Sequence, residues 1–143
     1  MSGIRGWDQS ARTLDGESYD SMSSTICWTD IPVTELERAM KFYSAVLGTP
    51  VKKESKPGME FGLLPHAETN ASGCLYKASD NRPSDHGPLV YLSVEGRLDA
   101  AIKAAQQNGG KIVVAKEPIG PYGFRAVIMD SEGNRIALHS QKA

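Results

Sequence analysis

Little in this sequence of 143 residues points to a specialised setting. Two cysteines, Cys27 and Cys74, are too few for a disulfide framework. With only three histidines in the chain, a Cys-rich zinc site is excluded as well. Both thiols are expected to be reduced, as in a cytosolic protein. No apolar run approaches the length of a membrane span, and the N-terminus lacks the apolar core of a signal peptide. Neither sign of charge dominates. A formal net charge of −1 and a pI near 6.3 give no pull toward nucleic acid or an anionic membrane. Aromatic residues make up only 7% of the chain, so the place of each one is informative. The expectation is a single soluble, cytoplasmic domain, large enough to bury roughly two-thirds of its unfolded surface.

Residues 1–24 show no hydrophobic period and are rich in Ser, Asp and Gly, the composition of a flexible arm. Met22 as an alternative start and an arm that packs on a neighbour both remain open. From residue 25 to 143 the pattern is regular. "ICWTDIPV" (26–33) reads as a strand. "TELERAMKFYSAVLG" (34–48) reads as a helix, with Leu36, Ala39, Met40, Tyr43, Val46 and Leu47 on one face. Thr34 and Glu37 form a capping-box pattern, and Gly48 is placed to end the helix. "VKKES", "MEFGLLP" and "SGCLYKA" follow as three strands, then the polar "SDNRPSDHG" as a linker.

The same order then returns. "PLVYLSVE" is a strand and "RLDAAIKAAQQNGG" a helix with Leu98, Ala101, Ile102 and Ala105 on one side. "KIVVAKEP", "YGFRAVIMD" and "NRIALHS" are three more strands, the last two joined by the turn "DSEGN". A shift of 61 positions lays Val33 on Val94, Gly48 on Gly109, Val51 on Ile112, Pro57 on Pro118 and Gly62 on Gly123. The domain is therefore two β-α-β-β-β units, about 25–80 and 88–141. Each unit alone leaves one sheet face poorly covered. The expected fold is α+β, an eight-stranded curved sheet bearing a cleft, with the helices on its outer face.

"IPVTELERAMKFYSAVLG", "VYLSVEGRLDAAIKAAQQNGGKIV" and the closing "MDSEGNRIALHS" resemble the vicinal oxygen chelate superfamily, over about residues 25–140. That group includes glyoxalase I, bleomycin-resistance proteins, extradiol dioxygenases and methylmalonyl-CoA epimerases, and the likeness is greatest to uncharacterised bacterial glyoxalase-related proteins. The resemblance implies a fold more than a reaction. In metal-dependent members, four cleft-facing His or Glu residues hold a divalent metal that acts as a Lewis acid. Carried across, those positions fall on Trp28, Tyr76, Leu89 and Ala137. Indole nitrogen only donates hydrogen bonds, and Leu and Ala offer no ligand atom. No metal cofactor is expected at the family's usual site.

Strand alternation adds Asp30, Tyr91 and Ser93, and the neighbours of Ala137, Arg135 and His139, to the cleft face. Either Phe124 or Arg125 joins them. The expected ligand-binding lining is Trp28, Tyr76, Leu89, Tyr91, Arg135, Ala137 and His139, a mix suited to a small organic molecule or to a cation held on ring faces. Candidate acids or bases are His139 and Asp30. Three functions stay in play. One is a metal-free binding protein of the bleomycin-resistance type. The second is a glyoxalase-related lyase or isomerase with a relocated active site. The third is a structural module with a filled cleft. The family resemblance also implies a homodimer, formed by packing within chains or by exchange of units between them.

Overall fold

The computed structural model describes residues 13–14, 17–18, 25–67 and 70–143. The expected arm 1–24 thus lies outside the described residues, apart from strands β1 (Thr13–Leu14) and β2 (Glu17–Ser18), which pair antiparallel.

The first unit runs β3 (Trp28–Pro32), α1 (Leu36–Leu47), β4 (Lys52–Lys56), β5 (Met59–Leu63) and β6 (Ser72–Tyr76). The second runs β7 (Val90–Ser93), α2 (Leu98–Gln107), β8 (Lys111–Pro118), β9 (Phe124–Met129) and β10 (Arg135–Ser140), with one 3-10 turn at Gly120–Tyr122. The units give two four-stranded sheets, β3-β6-β5-β4 and β7-β10-β9-β8. In each, the first strand runs parallel to the last, and the remaining pairs are antiparallel. The α+β class and the paired units match the sequence reading. The eight strands form two sheets that no ladder closes into one.

One core fastens the units together. Ile31, Val33 and Leu75 from the first join Val94, Ile128 and Leu138 from the second in a single buried cluster with both helices. On α1 the expected stripe is present, and fully buried Phe42 extends it. That ring lies off the predicted face because α1 packs on α2 as well as on its own sheet. Gly48 closes α1 in the left-handed region at φ 71°. Gly73 lets β3 and β6 approach, since a Cβ there would stand 2.3 Å from the Thr29 carbonyl oxygen.

The capping box does not form. Residue Glu35 is the N-cap and has no side-chain cap bond, while Glu37 reaches Lys53 at 2.6 Å. The helix is closed from the other unit: Glu132 Oε1 accepts the N–H groups of Thr34 (2.9 Å) and Glu35 (2.8 Å). Two unsatisfied donors at a helix start, with the positive end of its dipole, suit a carboxylate. Arg38 Nε holds the same carboxylate at 2.7 Å. Burial alone would raise the Glu132 pKa. Arg38, the two N–H groups and Ser131 outweigh it and hold the value down to about 2.

Beside this clip sits a buried polar knot. The Tyr43 hydroxyl donates to Asp130 Oδ2. Asp130 also accepts the N–H groups of Glu132 and Asn134, each at 2.8 Å, and Asn134 Nδ2 at 3.0 Å. Burial and Asp130 push the Tyr43 pKa well above its ordinary value. Asn134 ties three segments: Nδ2 also donates to the Pro32 carbonyl (2.8 Å), and Oδ1 accepts the Ser84 N–H (3.2 Å). The polar linker is therefore pinned to the start of β10, where the Arg135 N–H returns a bond to the Ser84 carbonyl at 3.3 Å.

Candidate functional site

Each sheet turns one face to the helices and leaves the other open. Register assigns the open faces. In the first unit, Trp28 pairs with Ser72, Asp30 with Cys74 and Pro32 with Tyr76. In the second, Tyr91 pairs with Ala137 and Ser93 with His139, with Arg135 two residues earlier on the same side. Trp28 and Tyr91 are 42% and 47% exposed, so both large rings stand free of the core. The alternation read from sequence thus matches the register for Trp28, Asp30, Tyr91, Arg135 and His139. Leu89, half-buried, lies one residue before β7 begins.

The register revises one equivalence. The Val33 N–H donates to the Tyr76 carbonyl at 3.1 Å, and the Val94 N–H to the His139 carbonyl at 2.9 Å. These are the same bond in the two units. The repeat shift is 61 at β3 and β7 but 63 at β6 and β10, because the connecting loops differ in length. Cys74, not Tyr76, is therefore the partner of Ala137. Tyr76 shares the open face two residues further on and matches His139.

With Cys74 in place of Tyr76, the four positions are Trp28, Cys74, Leu89 and Ala137. Trp28 Nε1 donates to Asp30 Oδ1 at 3.1 Å, and the Cys74 thiol donates to the same oxygen at 3.3 Å. Burial, then the contact with Asp30, pushes the Cys74 pKa up to about 11. A thiol held protonated is a poor metal ligand, and Ala137 is buried with no donor atom. Among the described residues, no three His, Cys, Asp or Glu side chains gather around a point. The donor set does not fit the family's divalent metal.

The second unit's open face carries different chemistry. Arg125 Nη1 donates to the Tyr91 hydroxyl oxygen at 2.5 Å, and Arg125 Nε to Glu117 at 2.9 Å. Arg125, left open against Phe124 by the sequence, pairs with His139 and takes the open face, while Phe124 packs on the core. His139 Nε2 lies 2.6 Å from the Tyr122 carbonyl. A carbonyl only accepts, so Nε2 donates this bond and leaves Nδ1 without a partner among the described residues.

Two cavities flank β3. One, of about 420 Å³, is lined by Asp30, Pro32, Tyr76, Ala78, Asp80 and Asn81. The other, of about 260 Å³, lies at the seam between the units, where the linker crosses from β3 to β7 and β10. Arg135 lines this second cavity, with Asp30 and the linker residues Arg82 and Ser84. Neither cavity includes Trp28, Leu89, Tyr91, Ala137 or His139. Within one chain, the expected lining is thus split between two open faces and a seam. Sequence patterning had not marked Arg82, Asn134 or Glu132, because each acts through a contact distant in the chain.

Two paired β-α-β-β-β units, with a helix on one face of each sheet and the other face open, define the class. The Glyoxalase/Bleomycin resistance protein/Dioxygenase superfamily profile matches residues 25–138, and the chain belongs to that superfamily. A curated protein named "Putative glyoxylase CFP32", from Mycobacterium bovis and Mycobacterium tuberculosis, is 26% identical over 119 residues. The match covers 82% of this chain and 44% of that protein, so the chain spans less than half the length of these relatives. Among solved structures, a glyoxalase/bleomycin resistance protein from Albidiferax ferrireducens T118 aligns with TM-score 0.59 and 22% identity, over 82% of this chain and 99% of that one. Glyoxalase I from Zea mays aligns with TM-score 0.58 and 22% identity, over 80% of this chain and 45% of that one. These likenesses carry the fold. Among the described residues, no helix is long and apolar enough to cross a membrane.

Proposed function

We propose that this chain is a metal-free small-molecule binding protein of its superfamily, holding an aromatic or cationic ligand against its open sheet faces. The observation that supports this most is the bonding at Cys74, Asp30 and Trp28. Where a metal ligand pair would stand, an indole and a protonated thiol both donate to one carboxylate oxygen. Exposed Trp28 and Tyr91 are ring faces suited to such a ligand. Each chain carries half of the lining on each of two unclosed sheets. A homodimer that sets the first sheet of one copy against the second sheet of another would complete it. Two unbridged cysteines suit a cytoplasmic setting.

The test pairs elemental analysis with fluorescence. Protein purified without chelator should carry no stoichiometric Zn, Ni, Mn or Fe. Trp28 emission, read in a Trp7→Phe background, should be quenched saturably by a small aromatic cation, while the remaining tryptophan emission of Trp28→Phe alone should not. Stoichiometric metal would overturn the reading. Light scattering reports the dimer.

A second reading rests on His139. Its free Nδ1 and the Tyr91 hydroxyl stand on one face, their ring centroids 6.5 Å apart, a base and a donor for a relocated lyase or isomerase site. Turnover of an α-keto aldehyde adduct that His139→Ala abolishes would favour it.

A further inference from the structure

The seam cavity has a chemistry that the aromatic faces lack. Arg135 and Arg82 both line it, one from the start of β10 and one from the linker. Among the described residues, every other arginine of the two units has an acceptor: Arg38 holds Glu132, Arg97 holds the Val46 carbonyl, and Arg125 holds Glu117. Among those residues, Arg82 and Arg135 hydrogen-bond only through their backbones. Two arginines that line one concavity and have no side-chain acceptor among the described residues are suited to an anion, and the planar fork of each fits a carboxylate.

The walls are fixed. Ser84 is bonded through its carbonyl to the Arg135 N–H and through its N–H to Asn134, so the linker is a fastened lip. Asp30 lines the same cavity. Its Oδ1 is taken by Trp28 and Cys74, while Oδ2 has no partner among the described residues. A carboxylate that shares a cavity with two arginines disfavours a bare or multiply charged anion and rewards a ligand that also donates a hydrogen bond.

We infer that the seam cavity binds a small organic carboxylate carrying an adjacent hydroxyl, with the carboxylate on Arg82 and Arg135 and the hydroxyl donating to Asp30. At about 260 Å³ the cavity is sized for a molecule of a few carbons. This site does not depend on the aromatic-ligand reading above.

The probes are glycolate, acetate and inorganic phosphate, each titrated against chloride at matched ionic strength, with binding read from backbone amide shifts of Ser84 and Arg135. Glycolate should bind saturably and at least about fivefold more tightly than acetate or phosphate, about 1 kcal/mol by the tenfold-per-1.4 kcal/mol relation. Asp30→Asn should collapse the preference for glycolate over acetate. Arg82→Lys with Arg135→Lys keeps the charge and removes the forks, and should weaken glycolate by about tenfold or more, while Arg82→Lys alone weakens glycolate and leaves the quenching of Trp28 by an aromatic cation unchanged. No saturable shift, equal binding of phosphate, or glycolate binding unaffected by the paired lysines would overturn the inference.

Discussion

The two units share a plan and differ in what they give each other. The second contributes the turn between β9 and β10, which reaches across to close the start of α1 and to seat Tyr43 and the Pro32 carbonyl. The first gives back Arg97's acceptor, the Val46 carbonyl at 2.6 Å. Their open faces differ as well. Trp28 and Asp30 stand on the open face of the first sheet, and Tyr91, Arg125 and His139 on that of the second, while the equivalent positions Cys74 and Ala137 are buried in both. Duplicating a fold therefore does not duplicate its chemistry. Both units end in an exposed, lysine-bearing edge strand that resists sheet-to-sheet association, β4 in the first and β8 in the second, and the second alone supplies the fastening turn.

The largest expected effect comes from cutting the fastening turn. Asp130→Ala leaves the Tyr43 hydroxyl and two backbone N–H groups buried without an acceptor, and should cost about 3 kcal/mol or more in urea unfolding. Ala67→Gly, in the exposed β5–β6 loop of the other unit, should cost less than about 1 kcal/mol. Equal costs would erase the asymmetry.

Glu132→Gln comes next. Losing a charged cap and its Arg38 partner should cost about 1–2 kcal/mol at pH 7. The folded pKa of Glu132, about 2, lies below its ordinary value near 4.5. Its stabilisation is therefore complete above about pH 5 and fades as pH falls toward 2. The difference between parent and variant should shrink over that window, as read from urea midpoints against pH. A constant difference would mean that the carboxylate charge is not the source.

The smallest effect is on reactivity. At pH 8, exposed Cys27 should alkylate well before Cys74, whose pKa is raised to about 11. Asp30→Asn removes one cause of that rise and should speed Cys74 alkylation several-fold, by mass spectrometry, with Cys27 unchanged. An unchanged Cys74 rate would leave burial as its whole cause.

Most of this architecture is legible in the sequence, because strand alternation and helical stripes are local signals. The helices begin and end within three residues of their expected limits, and "DSEGN" turns where it should. The failures have a common physical origin. The capping box of Thr34 and Glu37 is a fair local pattern, yet the donors are closed by Glu132, about a hundred residues away. The polar "SDNRPSDHG" has the composition of a linker, and only its bonds to Asn134 and Arg135 make it a cavity wall. A single repeat shift of 61 holds across β3 and β7 and drifts by two at β6 and β10, which moved Tyr76 into a place that belongs to Cys74. Trp28, Tyr91 and His139 were readable as open-face residues. That they lie on separate sheets was not, since alternation says which way a side chain points and nothing about which face it meets.

Asn134 also has a kinetic meaning. Its side chain joins segments 50 and 102 positions apart in the chain. Such bonds cannot form until both units exist, so they belong to the late, entropically slow steps of folding. Until then the chain holds two half-built layers, each able to meet the complementary layer of another molecule. Closure within one chain is a race against concentration, and the residue that fastens the seam is also the one that decides when that race ends.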